Sequence, residues 1–188
     1  KEQAGTYILF DKINQPATEC VDTYTFFRHL REKGNTKSHY ILNRSTPLYK
    51  NLKKRGALKG ILPFGGNAVL RVLFLFRHVI TIARAEYLVG AWLPPHSLAV
   101  FKMIVKKTVK APHGIFLLAE RPFNNYGKDA RSGGFDYFVV SNDMEKRIVM
   151  EKGGYPEKAI LQTGLFRWDI LKDQSRESKK RYILFSPS

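Results

Sequence analysis

Lys106-Lys107-Thr108-Val109-Lys110-Ala111-Pro112-His113-Gly114 is the stretch on which the reading of the fold turns. Val109 and its neighbours make a short extended run, and Pro112-His113-Gly114 stops it as the chain leaves a sheet. In an open α/β sheet, ligands sit at the carboxyl ends of the strands. The pattern therefore places His113 for chemistry rather than for packing. Gly114 has no Cβ, so the backbone there can approach a substrate closely. The competing reading of His113 is a strand-end imidazole bonded to a neighbouring carbonyl.

Upstream of this stretch the chain alternates strand and helix patterns. Thr6 to Phe10 is a compact apolar run of the kind a buried parallel strand shows. Asp22 to Lys33 has helical periodicity, with Tyr24, Phe26, Phe27 and Leu30 opposed by charged residues. Ser38 to Leu42 reads as the second strand, and Thr46 to Arg55 as a basic helix capped by Ser45. Leu58 to Leu62 repeats the strand theme and Gly65-Gly66 breaks it. An apolar helix over Ala68 to Phe76 follows, and the next strand is either Val79 to Ala83 or Tyr87 to Ala91.

Downstream, Arg121 to Gly134 reads as a loop and Phe135 to Ser141 as a strand. A helix over Asp143 to Lys152 has Ser141 or Asn142 as its cap, and Ala159 to Gly164 returns as a strand. A turn or short helix over Arg167 to Leu171 leads into a charged linker and a final strand, Tyr182 to Phe185. The alternation predicts a doubly wound, Rossmann-like α/β sheet, mostly parallel. That final strand needs partners of its own, so the expected division is one domain over residues 1–165 and, over 166–188, a crossover with the first strand of a second domain. An edge strand added to the same sheet is the alternative.

The net charge of +16 is concentrated. Residues 33 to 119 carry 15 Lys and Arg against the single acid Glu86, whereas the rest of the chain carries 17 against 15. A field of that kind attracts anionic partners: nucleic acid, anionic lipid or a phosphate-rich polymer. Lys50, Lys53, Lys54, Arg55 and Lys59 crowd a short stretch beside the apolar helix, and are candidates for contact with an anionic membrane or a polyanion. Most apolar positions of that helix, Leu70, Leu73 and Phe74 among them, are expected in the core. The region Ala68 to Leu93 is too interrupted by charge to span a bilayer. A cytoplasmic protein, soluble or attached to the membrane surface, is expected.

The single cysteine, Cys20, excludes an internal disulfide and a thiolate metal cage. No metal site and no cofactor is expected. There is no helix-turn-helix, RNP-type or zinc pattern, so a basic nucleic-acid-binding module is a weaker alternative and no nucleic-acid partner is expected. His29, His39, His78 and His96 have no placement like that of His113 and read as structural.

Several stretches, in order, resemble the CDP-glycerol glycerophosphotransferase family, the teichoic-acid polymerases and primases. They are Phe135-Asp136-Tyr137-Phe138-Val139-Val140-Ser141, Gly154-Tyr155-Pro156, Thr163-Gly164-Leu165-Phe166-Arg167-Trp168-Asp169 and Tyr182-Ile183-Leu184-Phe185-Ser186-Pro187-Ser188. Pro112-His113-Gly114 is similar to that family's His-Gly element, and Asp22 through Ile41 to its first helix and second strand. The resemblance implies a GT-B architecture, two Rossmann-like domains facing a cleft, with this chain as the first, acceptor-side domain. It implies an enzyme, peripheral on the inner face of the membrane, that moves a polyol phosphate from a CDP-polyol donor to a lipid-linked acceptor. It also implies His113 as the base, with Gly114, Asp22, Arg167 and Asp169 near substrate. Two departures stand out: Phe166 where the family usually has Pro, and Ala111-Pro112 before the histidine in place of a polar residue. A GT-B glycosyltransferase using a nucleotide sugar is the alternative within enzymes.

Overall fold

The computed structural model describes residues 5–11, 22–90, 95–112, 123, 127–128 and 134–171. Among the described residues seven strands, all parallel, form one sheet in the order β3-β2-β1-β4-β5-β6-β7. The strands are β1 (Tyr7–Phe10), β2 (His39–Asn43), β3 (Ile61–Phe64), β4 (Tyr87–Gly90), β5 (Lys107–Lys110), β6 (Tyr137–Val140) and β7 (Ile160–Gln162). The described helices are α1 (Asp22–Glu32), α2 (Pro47–Lys54), α3 (Ala68–Ala83), α4 (Pro95–Ile104) and α5 (Asp143–Glu151). Glu157–Ala159 and Phe166–Ile170 are short 3-10 helices. The expected Rossmann-like sheet is therefore the fold.

Strand order dictates where the helices lie. A crossover between parallel strands is right-handed, so two crossovers running from β1 out to β3 place α1 and α2 on one face. From β3 the chain turns back across the sheet to β4 and onward to β7, which places α3, α4 and α5 on the opposite face. The two cores show the same division. Leu9, Tyr40, Leu42 and Ile61 pack with Tyr24, Phe27, Leu48 and Leu52 of α1 and α2. Their strand neighbours Ile8, Phe10, Ile41 and Leu62 pack with Phe74, Ile82 and Leu98 of α3 and α4. Alternation along a strand produces this split.

Several local expectations change. Val79 to Ala83 is not a strand but the last part of α3, which runs to Ala83, and Tyr87–Gly90 takes the strand position. The third strand lies at Ile61–Phe64, later than the Leu58 to Leu62 expected. Helix α4 carries no sequence expectation at all. The cap of α2 is Thr46, whose Oγ1 accepts from Tyr49 N at 3.3 Å, while Ser45 bonds the Asn43 side chain instead. At α5 the expected cap holds: Asn142 Oδ1 accepts from Glu145 N at 2.9 Å, and the Glu145 carboxylate accepts from Ser141 N, one residue before the cap, at 2.6 Å.

The expectation that Leu70 and Leu73 are core is overturned. Both are exposed, and only Phe74 of that trio is buried. The basic stretch Lys50, Lys53, Lys54, Arg55 and Lys59 is exposed, but it is next to α3 only in sequence. Helix α2 lies on the other face of the sheet.

Candidate functional site at the carboxyl ends of the strands

The direction of crossover reverses between β1 and β4, and in an open α/β sheet the crevice above such a point is where ligands bind. At this point β1 ends in Phe10 and Asp11, and β4 in Gly90. Gly90 is obligatory there, since a Cβ would stand 1.9 Å from Phe10 Cζ. Asp11 is buried; its carboxylate accepts from the Tyr40 hydroxyl at 2.7 Å and from Thr23 N, in the first turn of α1, at 3.5 Å. Burial first, and then the Asp11 charge, hold the Tyr40 phenol well above its usual range, so Tyr40 stays a donor. Sequence reading missed Asp11. Its signal was an acid directly after an apolar strand, the position where a buried carboxylate can orient the next loop.

Beside Gly90, β5 ends in Lys110 and continues to Ala111, whose N–H donates to Gly90 O at 3.0 Å. Lys110 is only 4% exposed, with Nζ 5.9 Å from the centre of the Phe135 ring. A lysine so deeply buried at the carboxyl edge is a second residue that sequence reading passed over. The described chain stops at Pro112, so His113 and Gly114, the central sequence candidates, lie outside the described residues. The edge they follow is the expected one. Farther along the same edge, Gly65 and Gly66 have φ of +106° and +100°, open to glycine, and feed the N-terminus of α3. A Cβ on Gly65 would meet Asn43 Oδ1 at 2.6 Å.

Asp22 and Arg167 meet each other. Asp22 opens α1 and is 1% exposed, and its Oδ1 accepts from Arg167 N and pairs with Arg167 Nε, each at 3.2 Å. Phe26 stacks on Phe166 at 4.5 Å between ring centres, so the second 3-10 helix is fastened to α1 by charge and by aromatic contact. Arg167 thus pairs with Asp22 rather than with the nearby Asp169. Asp169 faces a groove of about 760 Å³, shared with His29, Tyr7, Tyr87 and Tyr137. The groove lies on the α1 face of the sheet, and Val89, Val109 and Val139 of β4 to β6 line it. Its apolar floor suits an apolar occupant better than a diphosphate.

The remaining histidines sit away from the carboxyl edge or on helices. His39 begins β2, at the opposite end of the sheet, with Nδ1 3.0 Å from Lys37 O, and burial lowers its pKa. His78 packs on the Phe74 ring at 4.8 Å, and burial, then the Arg77 charge, lower its pKa. The side chain of His96 lies outside the described residues. Among the described residues no cluster of His, Cys, Asp and Glu could hold a metal ion. Nor is any described helix long and apolar enough to cross a membrane.

A parallel seven-stranded sheet with this reversal point is a Rossmann-like fold of the kind found in GT-B glycosyltransferases. Among solved structures the chain is similar to the wall teichoic acid polymerase TagF, in a variant soaked with CDPG, with a TM-score of 0.53 and 13% identity over 92% of this chain and 41% of that one. It is similar also to a glycosyltransferase from Rickettsia africae, with a TM-score of 0.50 and 15% identity over 93% of this chain and 48% of that one. The chain thus spans less than half the length of either. No protein-family model matches the sequence, and no curated protein matches it.

Proposed function

We propose that the chain is the acceptor-side domain of a GT-B transferase that moves a polyol phosphate from a CDP-polyol donor to a lipid-linked acceptor in cell-wall or capsule-type polymer synthesis. The observation that carries this reading is the reversal of crossover direction between β1 and β4, with β5 ending on the same carboxyl edge just before Pro112-His113-Gly114 in sequence. The likeness of the fold to TagF supports it.

In this reading His113 takes the proton of the acceptor hydroxyl, a task suited to a group that titrates near neutrality. The freed oxygen attacks the phosphorus that bears the polyol, the bond from that phosphorus to the bridging oxygen breaks, and CMP leaves with the electron pair. Cations and helix N-termini offset the charge on the diphosphate as it splits. The crossover to the donor-side domain occupies residues 166–188, and the acceptor's lipid brings the enzyme to the inner face of an anionic membrane. Transfer of a sugar from a nucleotide sugar is the second reading, favoured by the likeness to the Rickettsia glycosyltransferase.

The test uses the full-length protein with CDP-glycerol, CDP-ribitol and nucleotide sugars as donors. Turnover is expected with a CDP-polyol, and His113→Ala is expected to lower it by about 10²–10⁴-fold while donor binding persists. Wild-type turnover in that variant would remove His113 as the base. Turnover with nucleotide sugars alone would decide for the second reading.

A further inference from the structure

Helix α2 carries its charge on one side. Leu48 and Leu52 are buried against the sheet, and at about 100° per residue Lys50, Lys53 and Lys54 fall on the opposite side, all three exposed. Gly56, with φ of +67°, turns the chain after the helix. Tyr40 N donates to Gly60 O at 2.9 Å, so the exposed Lys59 comes to lie beside the turn that carries the exposed Lys37. Helix α2 leaves the carboxyl edge after β2 and returns to the amino edge before β3, so its basic face runs down the flank of the sheet from the crevice end. No acid lies near these lysines in sequence: residues 33 to 85 contain no Asp or Glu, and Glu32, at the end of α1, pairs with Arg28 at 3.4 Å. Lys53 and Lys54 lie in the last turn, where a cation suits the helix dipole. That reason does not extend to Lys37, Lys50 or Lys59, and like charges three and four residues apart on a helix repel. The result is a cationic face whose self-repulsion an anionic ligand relieves.

We infer that the outer face of α2, with Lys37 and Lys59, holds a linear phosphate-rich polyanion. Lysine meets phosphate as a point charge, without a fixed geometry, and each such contact is weak in water. A row of them therefore favours many phosphates on one chain over a single phosphate, through the counterions released along it. The apolar side chains decide against other anionic partners. A helix that lies in a membrane surface presents apolar residues to it, whereas Leu48 and Leu52 face the sheet and leave α2 nothing to insert. Single-stranded nucleic acid is held by aromatic side chains among the cations, and none of the aromatic residues from 33 to 64 is exposed. The inference deepens the proposed reading by naming the surface along which a polymer of polyol phosphates runs as it leaves the crevice, and it rests on that reading for the source of the polyanion.

The test is binding of the intact protein to fluorescently labelled inorganic polyphosphate over a range of salt concentrations, with no donor present and no turnover read. The wild type is expected to bind the chain and to be displaced by it far more readily than by orthophosphate. Lys50→Gln/Lys53→Gln/Lys54→Gln is expected to bind about tenfold or more weakly, and to lower the slope of log affinity against log salt by about 2, from three phosphate contacts at about 0.7 each. Arg84→Gln/Lys106→Gln/Lys158→Gln removes the same charge from exposed positions elsewhere and is expected to bind much as the wild type does. Without polyphosphate the α2 variant is expected to melt no lower than the wild type, because like charges have been removed from one helix. Equal losses in the two triple variants, an unchanged salt slope in the α2 variant, or a melting temperature for it well below that of the wild type would each overturn the inference. So would single-stranded DNA or phosphatidylglycerol vesicles that bind more tightly than polyphosphate and lose that binding in the α2 variant. Because turnover is not read, a transferase reading that fails in the donor assay leaves a positive result here standing, and failed polyphosphate binding leaves transfer from a CDP-polyol untouched.

Discussion

Asp22 and Arg167 stand 145 positions apart in sequence and 3.2 Å apart in space, and their pairing fastens the end of the described chain to the first helix. Removing the guanidinium leaves a buried carboxylate with one partner fewer. Arg167→Ala is expected to cost about 1–3 kcal/mol, toward the lower end because the arginine is partly exposed; the urea midpoint reads it. A change of under about 0.5 kcal/mol would mean that the stacking of Phe26 on Phe166 does the holding. Tyr155 supplies a second test at this scale. Burial pushes its phenol up to about 12; the hydrogen bond from Phe135 N opposes that shift and the Asp136 charge adds to it. The folded state thus keeps a proton that the unfolded chain releases near 10. Stability is full below pH 10 and falls as pH rises toward about 12. Tyr155→Phe is expected to flatten that alkaline decline and to cost about 1 kcal/mol at neutral pH, as read from denaturation midpoints on either side of pH 10.

At the scale of the element, α3 shows how two adjacent apolar residues part company. Phe74 is 7% exposed and packs against Phe64 and the sheet, whereas Leu73, one step around the helix, points outward. Phe74→Ala is expected to destabilise by about 3–4 kcal/mol, and Leu73→Ser by no more than about 0.5 kcal/mol, compared by chemical denaturation. An equal cost at both positions would mean that the outer face is covered within this chain. Hydropathy could not separate the two, because α3 has no polar face to point outward. The same uniformity led the stretch from Val79 to Ala83 to be read as a possible strand. Elements with a polar face were legible. Asp22 to Lys33 and Asp143 to Lys152 were read almost to their ends, as was the Asn142 cap. At α2, Ser45 and Thr46 offered neighbouring hydroxyls, and only the backbone geometry chose between them.

At the scale of the whole molecule, the right-handed crossover rule carries the functional argument. It places the reversal between β1 and β4, and so sets Asp11 and Gly90 beside the end of β5. Among the described residues it puts no crossover helix on the α1 face over β4 to β7, where the groove bordered by Asp169 lies. It also separates the basic helix α2 from the apolar helix α3, which their closeness in sequence had joined. The end of β5 was legible because a strand with a proline stop announces itself. Asp11 and Lys110 were not, since an acid or a lysine next to an apolar run looks the same whether it is solvated or buried.

The amino-acid sequence by itself determined the alternation of strand and helix, the Rossmann-like class and the end of β5, because these follow from periodicity and turn chemistry within a few residues. Only the tertiary structure decided which helix lies on which face, which of two neighbouring apolar side chains is buried, and that Asp22 is answered by Arg167 rather than by solvent. Those outcomes depend on the order of strands across the sheet, a relation among residues dozens of positions apart that no local pattern encodes.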